Sequence, residues 1–159
     1  MDKKKILDQL ISKANEDLTK ARKTYAVTQT MVQQGDLKSD GKYDTRATEA
    51  NYLADGQRQR INDLEHELIL LEEIPTKKLS ATDDVSIGAL VEIEYNNQVR
   101  SYYISPTAGG TLLDVDGQAI LVISVFSPIG REALNLKIDD SFEVEINNSQ
   151  REYFIRNIM

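Results

Sequence analysis

At 159 residues the chain has room for one ordinary domain or two small ones. It lacks cysteine, which excludes disulfides, thiolate zinc sites and thiol nucleophiles; its single histidine, His66, excludes multi-histidine metal sites and argues against a Ser-His-Asp hydrolase. The net charge of −7, from 26 acidic and 19 basic side chains, argues against a global electrostatic grip on nucleic acid.

Met1 is followed by Asp2, three lysines and an amphipathic stretch, with neither the apolar core of a signal peptide nor a run of about 18 apolar residues. The expectation is a cytoplasmic protein without a membrane span. Residues 2–34 contain no Gly or Pro. Ile11, Leu18, Tyr25 and Val32 form one heptad row, and Leu7, Ala14, Ala21 and Thr28 the other. Together they step by three and four, the pattern of a coiled-coil seam.

A second segment repeats the pattern through Tyr43, Ala47, Ala50, Ala54, Gln57, Ile61, Leu64, Leu68 and Leu71. Residues 1–34 hold seven bases and four acids, whereas residues 35–75 hold five and ten. Opposite charge balances suit two helices lying side by side. Between the segments, Gln34-Gly35-Asp36-Leu37-Lys38-Ser39-Asp40-Gly41 breaks the helix and forces a hairpin. Helices over 2–34 and 42–74 would each run to roughly 45–50 Å. Such a seam is read as structural core. The domain organisation expected is a coiled-coil finger over 1–75, a linker over 76–84 and a sheet domain over 85–159.

Pro75 ends the second helix, and after the polar linker the period changes to two. Residues 89–95 and 99–104 read as strands joined across Asn96-Asn97-Gln98. Residues 119–125 are a continuous apolar run, hence a buried central strand. Residues 142–146 and 152–158 alternate again around Asn147-Asn148-Ser149. Ser127 and Pro128 read as the cap and first turn of a short helix over 129–136. The fold class is α+β, with a long antiparallel helical hairpin preceding a small antiparallel sheet.

Two stretches carry a family resemblance. Gly35-Asp36-Leu37-Lys38 followed by Tyr43, at the tip of a helical hairpin, resembles the bacterial Gre factors, transcript-cleavage proteins that act on RNA polymerase. So does Ser127-Pro128-Ile129-Gly130-Arg131 with Ala133-Leu134, followed by Asp139-Asp140 and a closing hairpin. The resemblance covers nearly the whole chain in the same order. It implies a C-terminal domain similar to FK506-binding proteins that docks at the rim of the polymerase secondary channel through Phe126, Ser127, Pro128 and Ile129. It implies a coiled coil that enters the channel, and tip acids that help hold a second magnesium ion in the polymerase active site. Such a cation would stabilise the attacking oxygen in two-metal phosphoryl chemistry. Asp36 matches the first tip acid. Ser39 stands where the second belongs, Lys42 reverses a nearby charge, and Asp40 is one residue late, about 100° of helix rotation. Asp36 and Asp40 are the magnesium candidates. Lys20, Arg22 and Lys23 match in type a basic patch that faces the transcript.

Plainer readings stand beside these: caps and turn residues for Asp36 and Asp40, a solvated helix face for the three bases, an ordinary helix start for Ser127 to Ile129. The expected function is an RNA polymerase-binding factor, not itself an enzyme, that modulates elongation or cleavage of backtracked transcripts. It would have no cofactor of its own, act as a monomer, meet the transcript end, and touch DNA only through the polymerase. The alternatives are a folding helper, such as a prolyl isomerase or chaperone with a coiled-coil clamp, and a coiled-coil adaptor.

Overall fold

The computed structural model describes residues 1–33 and 46–159. Two long helices, α1 (Lys3–Gln33) and α2 (Arg46–Glu72), precede six strands and one short helix. The strands are β1 (Leu90–Tyr95), β2 (Gln98–Ser105), β3 (Leu112–Val115), β4 (Gln118–Ser124), β5 (Ser141–Ile146) and β6 (Ser149–Ile158), with α3 (Pro128–Ala133) between β4 and β5. The chain divides into two compact units: Ser12–Ile69, and Met1–Ile11 with Leu70–Met159.

In the first unit the predicted seam is the buried stripe. Ala14, Leu18, Thr28, Ala50 and Leu64 are buried, and Ala21, Tyr25, Ala47, Ala54, Gln57, Ile61 and Leu68 are half-buried. Val32 departs from it, being exposed. Arg22 reaches Glu65, and Arg58 donates to the Tyr25 hydroxyl at 3.0 Å, so the helices pair antiparallel. α2 stops three residues before Pro75, in a turn where Ile74 N–H donates to the Leu71 carbonyl at 3.1 Å.

The opening turns of α1 belong to the sheet unit, whereas the sequence reading gave all of 1–75 to the finger. Ile6 and Leu10 are buried there along with Leu71 and Ile74. Gln9 Nε2 donates to the Asp114 carbonyl at 3.1 Å, and Lys5 Nζ pairs with Asp116 at 2.8 Å. Lys3 is buried too, its Nζ donating to the Lys77 carbonyl at 2.6 Å. Burial pulls the Lys3 ammonium below its ordinary pKa.

The sheet runs β3-β4-β2-β1-β6-β5. One expectation is corrected: the sheet is mixed, because β2 and β4 pair in parallel, Ser101 opposite Ile120 through Ser105 opposite Ser124. The reason lies in β3, which the sequence reading left unassigned. β3 alternates exposed and buried residues and takes the edge, while the apolar β4 takes the interior place beside β2. Each tight hairpin turns on two residues of positive φ: Asn96-Asn97, Asp116-Gly117 and Asn147-Asn148. Such turns match the right-handed twist of their strands.

One face of the sheet carries the main core, including Val91, Ile93, Ile104, Phe142, Tyr153 and Ile155, with Ala133 of α3 packed on it. α3 ends at Ala133, with Leu134 as its C-cap, earlier than predicted. Leu134 is extended, Asn135 is left-handed (φ 65°), and Asn135 N–H donates to the Val85 carbonyl at 2.9 Å. Pairing with Val85 wins over another helical turn. Among the described residues no helix is long and apolar enough to cross a membrane.

Candidate docking site

The turn from β4 into α3 gathers the residues singled out between Phe126 and Arg131. β4 ends at Ser124, and Val125 N–H donates to the Ser105 carbonyl at 3.0 Å, tying the exit to β2. Ser127 is the N-cap of α3, with extended backbone at φ −74°, ψ 157°. Its Oγ accepts from Gly130 N–H at 3.1 Å and donates to the Ser124 carbonyl at 2.7 Å. Its own N–H donates to the same carbonyl at 2.9 Å. Pro128 fills the first helical position, where a missing N–H costs nothing.

Gly130 explains how tightly the turn closes: a Cβ on it would lie 2.0 Å from the Ser124 carbonyl oxygen. No other residue type fits without moving β4's end. These contacts hold Phe126 outward, 73% exposed, with its N–H donating to Ser124 Oγ at 3.1 Å and its carbonyl accepting from Arg131 Nη2 at 3.3 Å. A large aromatic ring on a rigid turn loses little side-chain freedom on binding and leaves water readily. Pro128 is exposed beside it, while Ile129 is half-buried against the main core. Of the four predicted docking residues, Phe126 and Pro128 are exposed, whereas Ser127 closes the turn and Ile129 packs on the core.

The predicted basic residues are less convergent. Lys20 and Lys23 are exposed and one turn apart on α1. Arg22 is turned toward α2, its Nη2 2.9 Å from Glu65 Oε1. The tip candidates Asp36 and Asp40 lie outside the described residues, as do Ser39, Lys42 and Tyr43. Among the described residues no group of three or more His, Asp or Glu side chains could hold a metal ion. His66 is an exposed helix residue.

The described residues combine an antiparallel helix pair with a sheet domain that carries an exposed aromatic side chain on a tight turn. The family model for "Transcription elongation factor, GreA/GreB, C-term" matches residues 80–159. The chain is also 28% identical over 129 residues to the transcription elongation factor GreA of Lachnoclostridium phytofermentans, covering 79% of this chain and 73% of that one. Among solved structures, the GreA factor homolog Gfh1 of Thermus thermophilus is 20% identical, with 94% of each chain covered and a TM-score of 0.38. Gfh1 of Thermus aquaticus is 19% identical, with 92% of each covered and a TM-score of 0.40.

The chain belongs to the GreA/GreB transcription elongation factor family. It is an RNA polymerase-binding accessory factor of elongation rather than an enzyme in its own right. Neither the folding-helper nor the adaptor reading gains support from these comparisons.

Proposed function

We propose that the chain holds RNA polymerase through Phe126, Ser127, Pro128 and Ile129 while its helical hairpin enters the secondary channel. The observation that carries this is the exposed Phe126 on a turn closed by Ser127 and Gly130, within a domain of the Gre family. We read the sheet domain as similar to FK506-binding proteins, supported by its single short helix packed on one sheet face. The chain acts as a monomer in the cytoplasm, and Lys20 and Lys23 face the transcript end.

The donor set at the tip does not fit a magnesium holder. Magnesium wants converging carboxylate oxygens. Asp36 supplies one, but Ser39 offers a neutral hydroxyl, Asp40 is out of step, and Lys38 and Lys42 bring positive charge. No cleavage step is therefore assigned to this chain. Channel occupancy is its main effect, felt as modulation of initiation or pausing, or as competition with a true cleavage factor.

The Ser127→Glu, Pro128→Ala double variant should stay folded and bind polymerase more weakly. Binding equal to the parent by the folded double variant would remove the docking assignment. For the tip, a stalled, backtracked complex incubated with the protein and magnesium should show weak or no stimulated cleavage, with partial gain on Ser39→Glu. Strong cleavage by the unmodified chain, lost on Asp36→Ala or Asp40→Ala, would overturn the modulator reading.

A further inference from the structure

The pair of helices α1 and α2 carries three weak points at one level. The first is Gly56, exposed in the interior of α2. A Cβ on it would meet no atom within 4 Å, and its backbone is not left-handed, so neither close packing nor conformation asks for glycine there. Glycine in a helix interior frees backbone that alanine would hold. The second is its neighbour Gln57, a polar residue in the apolar seam. Its Oε1 is buried and accepts from no donor among the described residues. A buried acceptor without a partner costs free energy that an entering water recovers. Water or a side chain inserting beside a helix is a recognised cause of kinks.

The third weak point lies across from these, on α1. The hydroxyls of Thr24, Thr28 and Thr30 donate back to the carbonyls of Lys20, Thr24 and Ala26 at 3.0, 3.3 and 3.0 Å. Such back-bonding slightly destabilises helices and bends them. The level is fixed by Arg58, whose Nε and Nη2 donate to the Tyr25 hydroxyl at 3.2 and 3.0 Å. Because the helices run antiparallel, Gly56 and Gln57 stand opposite the stretch from Tyr25 to Thr28. To one side of this level Leu18 and Leu64 are buried and Arg22 pairs with Glu65 at 2.9 Å. To the other side the seam buries only Thr28 and Ala50, with Val27, Tyr52 and Leu53 exposed.

We propose that Gly56 and Gln57, with Thr24 and Thr28 opposite, form a joint in the helix pair. At this joint the stretch of residues 25–33 and 46–55 bends away from the line of residues 12–21 and 61–69. The Leu18 and Leu64 layer stays closed while the stretch beyond takes up more than one direction. Water reaching Gln57 Oε1 stabilises the bent form, and Gly56 supplies the backbone freedom for it. The joint is a property of the helix pair alone, independent of the docking turn.

The test uses the full-length chain, which has no cysteine of its own and so accepts spin labels at chosen sites. Asn51→Cys and Ile69→Cys, both exposed, straddle the joint on α2 at a separation of roughly 27 Å. Electron spin–spin distance measurement should give a broad distribution in this pair, narrowed by Gly56→Ala with Gln57→Leu. Hydrogen exchange without labels should show the amides of Gly56 to Arg60 exchanging about tenfold faster than those of Asp63 to Glu67. Gly56→Ala should slow the faster set about two- to fivefold, and the double substitution further. Should Gln57→Leu make the chain self-associate, Gly56→Ala alone carries both measurements. A narrow distribution in the parent, or folded variants unchanged in width and exchange, overturns the joint. Exchange that quickens evenly from Ile69 to Arg46, with no step at Gly56, overturns it too, since fraying of a helix end then explains the motion.

Discussion

In the sheet unit, Val91, Ile104 and Ile155 are fully buried, and residues of both sheet faces are buried. Along the hairpin the buried set is narrower and smaller: Leu18 and Leu64 far from the connection, then Ala50 and Thr28 nearer to it. Val27, Tyr52 and Leu53 are left exposed in that nearer part. A two-helix pair has one seam, so each helix shows its other sides to water. Burying a large aliphatic side chain contributes about 1.5–3 kcal/mol, and an alanine much less. Small seam residues let two helices approach closely, which keeps the pair slim. The helix pair thus gives up apolar burial toward residues 28 and 50, whereas the sheet unit holds a core of its own.

The contrast is sharpest for core truncations. Ile104→Ala should cost about 3–4 kcal/mol, because the site is enclosed on all sides and collapses poorly. Leu18→Ala should cost nearer 2 kcal/mol, since solvent beside a single seam lets neighbours relax. Chemical denaturation followed by circular dichroism at 222 nm and by tyrosine fluorescence checks both. Equal costs would mean that the hairpin is packed as well as the sheet.

Much of this division is legible in the sequence, for physical reasons. The steps of three and four predict the seam because only one helix face can be buried in a pair. Alternation, the Asn-Asn turns and the apolar run of β4 mark five of the six strands. β3 is missed because Leu112–Val115 is an edge strand of four residues with one side facing water. The parallel pairing of β2 with β4 is a choice of neighbour, on which local pattern is silent. Ile6 and Leu10 look like continuing coiled coil, and only tertiary packing moves them to the sheet unit. Ser127, Pro128 and Gly130 are readable as a cap and turn. The cleft that Arg100 and Arg151 both line is not, because they come from strands β2 and β6, separated by β1.

Titration offers a second probe of the sheet unit. Tyr103 is buried, and burial pushes its phenol up to about 12. The unfolded chain ionises near the ordinary value of about 10, so the folded form binds the proton more tightly. Stability from this group is fully present below about pH 10 and is lost as pH rises toward about 12. The loss should be on the order of 2 kcal/mol, and Tyr103→Phe should flatten it. Denaturant midpoints between pH 9 and about 12 give the test. An unchanged alkaline limb in the variant would place the titrating group elsewhere.

The smallest expected effect lies on the hairpin. Arg22 and Glu65 pair at 2.9 Å, but both side chains are about half exposed, at 57% and 46%. An exposed pair gains little Coulomb energy in water and costs side-chain entropy to hold, so its worth is about 0.2–1 kcal/mol. Arg22→Ala and Glu65→Ala, singly and together, should therefore show a coupling below about 1 kcal/mol in thermal unfolding. The coupling should vanish at 1 M salt, where screening acts within about 3 Å. Lys20→Ala and Lys23→Ala, which remove exposed ammoniums, should leave hairpin stability unchanged while testing contact with the transcript. A coupling well above 1 kcal/mol that persisted in high salt would show charge pairing, rather than the apolar seam, holding the two helices together. The contrast drawn between the units would then rest on the wrong force.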